Sequence, residues 1–149
     1  MPCHQRPLRH WLLLASQDLP QCFLYRVDQK RQQLEALGCS VRIVLRDDLD
    51  QWLWSEALVW ADAVIVCRLP ATASVLRAID AVHQAGLPSW YDVDDLVVDP
   101  DNGVPALDTY GGTITPPQHR CLPLDVGLSA AAMRACHGVI VSTPTLARR

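Results

Sequence analysis

Three carboxylates fall within four residues at Asp92, Asp94 and Asp95, in the stretch Trp90-Tyr91-Asp92-Val93-Asp94-Asp95-Leu96. Like charges this close repel, so cations, water or a ligand must compensate them. Three chemistries suit such a cluster: a divalent cation site, a general base, or hydrogen-bonded capping of a turn. Hard cations take more oxygen ligands than three sequence neighbours can aim together. In an extended chain Asp92 and Asp94 point to one face and Asp95 to the other, so at most two converge. No metal is therefore expected. Capping or solvation and a ligand-facing carboxylate both remain open, with Asp95 also suited to cap the turn that follows.

Few other residues compete for a chemical role. Arg68 ends an apolar run, where a guanidinium can bind an anion or pair with Asp92 or Asp94. Tyr25 and Arg26 open a helical stretch. Arg26 is either an exposed arginine or a phosphate ligand near the positive end of the helix dipole. His119 lies in a long loop near the expected crevice and is the one histidine placed for acid–base work. No pair among the histidines has metal-ligand spacing. The residues after the first apolar run, Ser16-Gln17-Asp18-Leu19-Pro20, contain no glycine. Both a dinucleotide fingerprint and a Walker loop are thus missing. No Gly-x-Ser-x-Gly elbow supports hydrolysis, and Gly111-Gly112 reads as a hinge.

The elements that must position these residues follow from hydrophobic periodicity. Trp11–Ala15 and Ala63–Cys67 are continuous apolar runs, as expected of strands buried on both faces. Ser40–Arg46 alternates and reads as an edge strand; Pro88–Leu96 supplies the fourth strand and Gly138–Ser142 the fifth. Between them, Phe23, Val27, Leu34 and Leu37 recur at helical spacing before Gly38. Asp48 and Gln51 have capping-box spacing and predict a helix with Leu49, Trp52, Leu53, Ala57 and Trp60 inward, leaving Trp54 and Leu58 on another side. Val75, Leu76, Ile79 and Val82 place the next helix, which Gly86 stops. Val98–Cys121 reads as a long loop of the functional kind. Leu124–Cys136 forms a helix rich in small residues, and Thr143-Pro144 starts a last one.

Strand and helix alternate without a hairpin signal, which predicts an α/β, doubly wound, mainly parallel five-stranded sheet, Rossmann-like, with helices on both faces. The expected order is 2-1-3-4-5. It puts the topological switch between strands one and three, so Ser16–Cys22 and Arg68–Pro70 should line the crevice. A receiver domain shares this architecture, but its paired acids follow the first strand and its lysine follows the last. Here the acids follow the fourth strand and Ser142-Thr143-Pro144 the fifth.

The 149 residues, half of them hydrophobic, can bury one sizeable core. Residues 1–9 read as a loose leader and 10–149 as the domain. The net charge of −3, with basic residues scattered, leaves no nucleic-acid footprint. Six cysteines without a C-x-x-C pair, and no secretion signal, favour reduced thiols in a cytoplasmic protein. Trp11–Ala15 is too short to span a bilayer.

The ordered set of Tyr25-Arg26-Val27, Ala61–Arg68, Tyr91-Asp92-Val93-Asp94-Asp95-Leu96 and Val141-Ser142-Thr143-Pro144-Thr145-Leu146-Ala147 resembles the amino-terminal half of GT-B glycosyltransferases of the O-antigen and surface-polysaccharide type. The likeness spans nearly the whole chain. It implies two Rossmann-like domains facing across a cleft, the first receiving a glycan or lipid-linked acceptor and the second binding the nucleotide-sugar. It implies that Tyr25, Arg26, Arg68 and Asp92 stand on the acceptor wall, with His119 added by its place in the loop. Asp94 or Asp95 would serve as base or orient the acceptor hydroxyl. The donor-binding half, with its paired glutamates, is absent, so no cofactor is expected here and the isolated domain should be inactive. A lipid-linked acceptor would bring the enzyme to the inner face of the membrane. The competing class is a non-enzymatic α/β binding or regulatory module.

Overall fold

The computed structural model describes residues 7–51, 54–99, 101 and 104–148. Five strands form a single sheet: β1 (His10–Ala15), β2 (Ser40–Leu45), β3 (Ala63–Cys67), β4 (Ser89–Val93) and β5 (Gly138–Val141). Their order is β2-β1-β3-β4-β5, and every pairing is parallel. The α/β, Rossmann-like architecture and the predicted order both hold. The register sets Leu12 beside Val64, Val66 beside Tyr91 and Cys67 beside Asp92.

Alternation along each strand makes two unlike faces. One carries Leu12, Leu14, Val64, Val66, Tyr91 and Val93, all at or below 1% exposure. It is covered by α3 (Trp54–Trp60), α4 (Ala73–Gln84) and α5 (Pro116–Ala135). The other carries Leu13, Ala15, Ile65 and Cys67, joined by half-buried Trp11, Val41, Ile43 and Ile140. It is covered by α1 (Pro20–Phe23), a π-helical turn (Leu24–Asp28) and α2 (Gln29–Ala36), which run on without a break. Within that run only Val27 is buried, and α2 buries nothing.

Several element boundaries differ from the sequence expectation. Asp48 and Gln51 do interact, Gln51 Nε2 donating to Asp48 Oδ1 at 3.2 Å, but Asp48 ends a short 3-10 turn, Arg46–Asp48, and the bond spans the bend that follows it. The described helix is Trp54–Trp60, where Ala57 and Trp60 pack inward as expected but Trp54 and Leu58 do so as well. Ala57 and Leu58 are buried, Trp54 packs half-buried against the core, and Val59 is 91% exposed. Trp52 and Leu53 lie outside the described residues, as do residues 1–6 of the expected leader. In α4 the inward set is Val75, Ala78, Ile79 and Val82; Leu76 faces out.

The largest difference is α5, which starts well before Leu124. Thr115 and Gln118 form a capping box, Gln118 N donating to Thr115 Oγ1 and Thr115 N to Gln118 Oε1, with prolines in the first turn. The helix continues through Pro123. The irregular connection after β4 is correspondingly shorter. After β5, Thr143 Oγ1 accepts from Leu146 N at the start of a 3-10 turn, Leu146–Arg148, so the expected cap is present.

Candidate functional site

At the carboxyl edge of the sheet, over the switch between β1 and β3, lies a cavity of about 480 Å³. The β1 loop contributes Ser16, Asp18, Leu19 and Cys22, and the β3 loop contributes Arg68 and Pro70, as the topology argument required. Phe23, Val27, Leu122 and Val126 give it apolar walls. Arg26, Arg46, Asp125, Tyr110 and Ser129 add polar groups. An apolar pocket with a few convergent polar groups is the usual form of a small-molecule site.

Beneath and beside it sit two ion triads that divide the acidic cluster. Asp92, the penultimate residue of β4, lies on the α1–α2 face and is fully buried. Arg26 reaches it with two bonds, Nε to Oδ2 at 2.9 Å and Nη2 to Oδ1 at 2.5 Å; Lys30 Nζ adds a third to Oδ1 at 3.0 Å. The side chains of Arg26 and Lys30 are themselves only 15% and 17% exposed. A buried carboxylate with two cations is compensated in charge and saturated in hydrogen bonds. Asp92 therefore has no face for a ligand, and its role is to hold the helical run onto the sheet. Arg26 is neither an exposed arginine nor a free phosphate ligand, although its guanidinium also forms part of the cavity wall.

The second triad is Arg68 with Asp94 and Asp95. Arg68 Nη1 donates to Asp94 Oδ1 at 2.5 Å and lies 3.4 Å from Asp95 Oδ2. Of the two ion pairs open to Arg68 the one with Asp94 is formed, and Asp95 joins it, contrary to the expected split between Asp94 and Asp95, because the extended chain ends at Val93. The two carboxylates together hold the guanidinium pKa above its ordinary value, against the opposing effect of burial. Asp95 Oδ1 also accepts from Val97 N at 2.9 Å, which is the turn cap anticipated for it. Half of the Asp95 side chain stays exposed, against less than a third of Asp94. Arg68 itself adopts φ 52°, a left-handed conformation rare outside glycine. Its backbone N–H donates to Asp92 O at 3.1 Å, which links the two triads.

Burial dominates the remaining titratable groups near the floor. Desolvation, reinforced by Asp92, pushes the Cys67 thiol up to about 12, so this cysteine is not a nucleophile. Tyr91 is likewise raised to about 12 by burial, with its hydroxyl donating to Leu69 O at 3.2 Å. Among the described residues no cluster of histidine, cysteine and carboxylate could hold a metal ion.

Of the residues singled out from sequence, Arg26 and Arg68 line the cavity, whereas Asp94 and Asp95 are outside the lining and reach it only as partners of Arg68. Tyr25 is 60% exposed and takes no part in the lining. His119 stands in the first turn of α5, not in a loop. Its Nε2 is 2.8 Å from Pro105 O, so the proton sits on that nitrogen. That bond fixes which ring nitrogen carries the proton, and His119 is not among the residues that line the cavity. Sequence reasoning missed Arg46, Tyr110, Asp125 and Ser129. Only Arg46 carried a usable signal, as a charged residue closing an apolar strand next to the switch point; Asp18 pairs with it at 2.7 Å.

No family model matches the chain, and no curated protein does. Among solved structures, a 3-dehydroquinate dehydratase-like protein from Bifidobacterium longum aligns over 91% of this chain and 86% of its own, with 12% identity and a TM-score of 0.49. The strand pairing described above, and not this likeness, establishes the fold.

Proposed function

We propose that this domain is the acceptor-binding half of a GT-B-type glycosyltransferase, presenting a glycan or lipid-linked hydroxyl to a nucleotide-sugar held by a facing donor domain. One observation carries the reading. Of the residues that the family resemblance selects from distant parts of the chain, Arg26, Arg68, Asp94 and Asp95 gather at one edge of the sheet beside a cavity at the switch point, while Tyr25 stays exposed outside the lining and Asp92 is buried beneath it. The site mixes fixed donors and acceptors with apolar walls, which suits a neutral polyhydroxylated ligand.

Within that reading Asp95 is the stronger base candidate. A general base needs a lone pair directed at the hydroxyl it deprotonates. Asp94 spends its charge on Arg68 at 2.5 Å, whereas Asp95 is half exposed and 3.4 Å from the same guanidinium. Arg68 orients both. The cavity's arginines, Arg26, Arg46 and Arg68, are each paired with a carboxylate, so neutralising a departing diphosphate falls to the donor domain in this reading. The reading carries with it a cytoplasmic site of action, at a membrane face where the acceptor is lipid-linked. None of the described helices is long and apolar enough to cross a membrane.

A second reading, a non-enzymatic ligand-binding module, draws on the same Arg68 contacts, because they neutralise both candidate bases. Two measurements separate them. Calorimetry of this chain with UDP- and GDP-sugars should show no binding; micromolar affinity would overturn the division of labour. In an active enzyme carrying this domain, Asp95→Asn should lower kcat by about a hundredfold or more, the usual worth of a general base. Unchanged turnover would favour the module.

A further inference from the structure

The connection from β4 to α5 brings an aromatic ring to the cavity from outside the sheet. A 3-10 turn, Leu107–Tyr110, ends in two successive left-handed glycines, Gly111 at φ 55° and Gly112 at φ 79°. Such φ values come at little cost only to glycine. They turn the chain sharply, directly after Tyr110, which is half-buried and lines the cavity. The turn is closed by its own hydroxyls: Thr109 Oγ1 donates to Ala106 O and Thr113 Oγ1 to Tyr110 O, both at 2.6 Å.

The ring is braced from behind. His119, from the first turn of α5, meets Tyr110 edge to face with centroids 5.9 Å apart and planes at 73°. The histidine is in turn tied to Pro105 O. A tyrosine needed only to fill space would not require this chain of contacts, and among the described residues no hydrogen-bond partner of its hydroxyl is seen. What the brace does is fix the orientation of an aromatic ring in the lining of a cavity whose other walls are mostly aliphatic and charged.

The geometry points to Tyr110 as the platform on which a pyranose ring of the acceptor stacks, with His119 as the residue that positions it. This rests on the acceptor-side reading above. A sugar presents a patch of C–H bonds on one face and hydroxyls around its rim. The C–H patch is attracted to the electron-rich face of an aromatic ring, while Ser16, Asp18, Arg46 and Ser129 across the cavity offer partners to the hydroxyls. Selectivity follows from this arrangement: sugars whose hydroxyls all lie equatorial keep flat C–H faces and should bind best.

The test is NMR titration of the full chain with methyl pyranosides of glucose, galactose, mannose and N-acetylglucosamine. Binding should move amide signals of the cavity residues and shift sugar C–H protons upfield through the ring current of Tyr110. The Tyr110→Phe variant should keep both effects. Tyr110→Ala should lose the upfield shift and weaken binding by about three- to tenfold, the range of one aromatic contact. Intermolecular cross-relaxation from sugar protons to the Tyr110 ring in the unaltered chain gives the same answer without relying on a variant that folds. Pyranoside binding at the cavity with no ring contact and no loss in Tyr110→Ala would overturn the platform and leave the acceptor reading standing. If no pyranoside perturbed the cavity, both would fall.

Discussion

The two faces of the sheet are made by the same strands, yet they are closed by different physics. On the α3–α5 side, Leu12, Leu14, Val64, Val66 and Tyr91 meet three helices in an apolar core. On the α1–α2 side, one helical run contributes a single buried side chain, Val27, and fastens itself through Arg26 and Lys30 to Asp92. That side even leaves the indole Nε1 of Trp11 buried without an acceptor among the described residues. Apolar burial is strong but indifferent to exact register. A buried ion pair adds little net stability, because desolvation offsets the attraction, but it tolerates only one arrangement. The face that closes by charge is also the one that supplies Arg26 and Cys22 to the cavity, so position there matters more than stability.

The sharpest way to break this contrast is Asp92→Ala. It would leave two buried cations uncompensated and should cost about 3–5 kcal/mol in urea unfolding. Replacing all three, as Arg26→Met, Lys30→Met and Asp92→Leu together, should restore most of that loss. If the single variant cost under about 1 kcal/mol, the triad would not hold the helical run. On the dry face Leu14→Ala should cost about 3 kcal/mol through lost burial and the cavity left behind. Its cost should not change between low and high salt, whereas that of Asp92→Ala should fall as salt screens the orphaned cations.

The smallest effect measures how much of Asp92's role is burial. Asp62 performs similar work at the surface, its Oδ2 accepting from the backbone N–H of Arg9 and His10 at 2.9 Å each. The Arg9 backbone bond is the main cause that lowers its pKa below 3.8. A lowered folded pKa means stability that is present above 3.8 and is lost as pH falls through the folded value. The stability gap between the unaltered chain and Asp62→Asn should therefore close on acidification, from no more than about 1 kcal/mol near neutrality. A gap that persisted to pH values well below the carboxylate range would show that the charge contributes nothing.

The strands were legible because parallel strands covered on both sides must be apolar throughout, and β1 and β3 show just that. Their order followed from the alternation of elements. Helix starts were less legible. Asp48 and Gln51 offered capping-box spacing where the chain makes only a turn, while Thr115-Pro116-Pro117-Gln118 carried a true one inside a segment whose prolines argued for loop. Trp54 and Leu58 were misassigned because the inward stripe was counted too narrowly: both pack against the same core as Ala57 and Trp60. At the site, alternation grouped Asp92 with Asp94 against Asp95, but the strand ends at Val93, so Asp94 joins Asp95 on Arg68 and Asp92 stands apart; of the two partners open to Arg68, Asp94 is the one it takes. The partners of Asp92 were out of reach. Arg26 and Lys30 are 66 and 62 residues away and cross β3 to arrive, which no local pattern records.

Arg68 closes β3 with its backbone in the left-handed region. For a residue with a Cβ that conformation costs about 1–2 kcal/mol. Glycine would relieve it, but would release Asp94 and Asp95 to repel each other. Position 68 is therefore a site where the best residue for the backbone and the best residue for the charges differ. A stability screen would favour Gly there and a function screen Arg. Mutational tolerance at this position thus becomes a direct readout of whether the acidic turn has work to do.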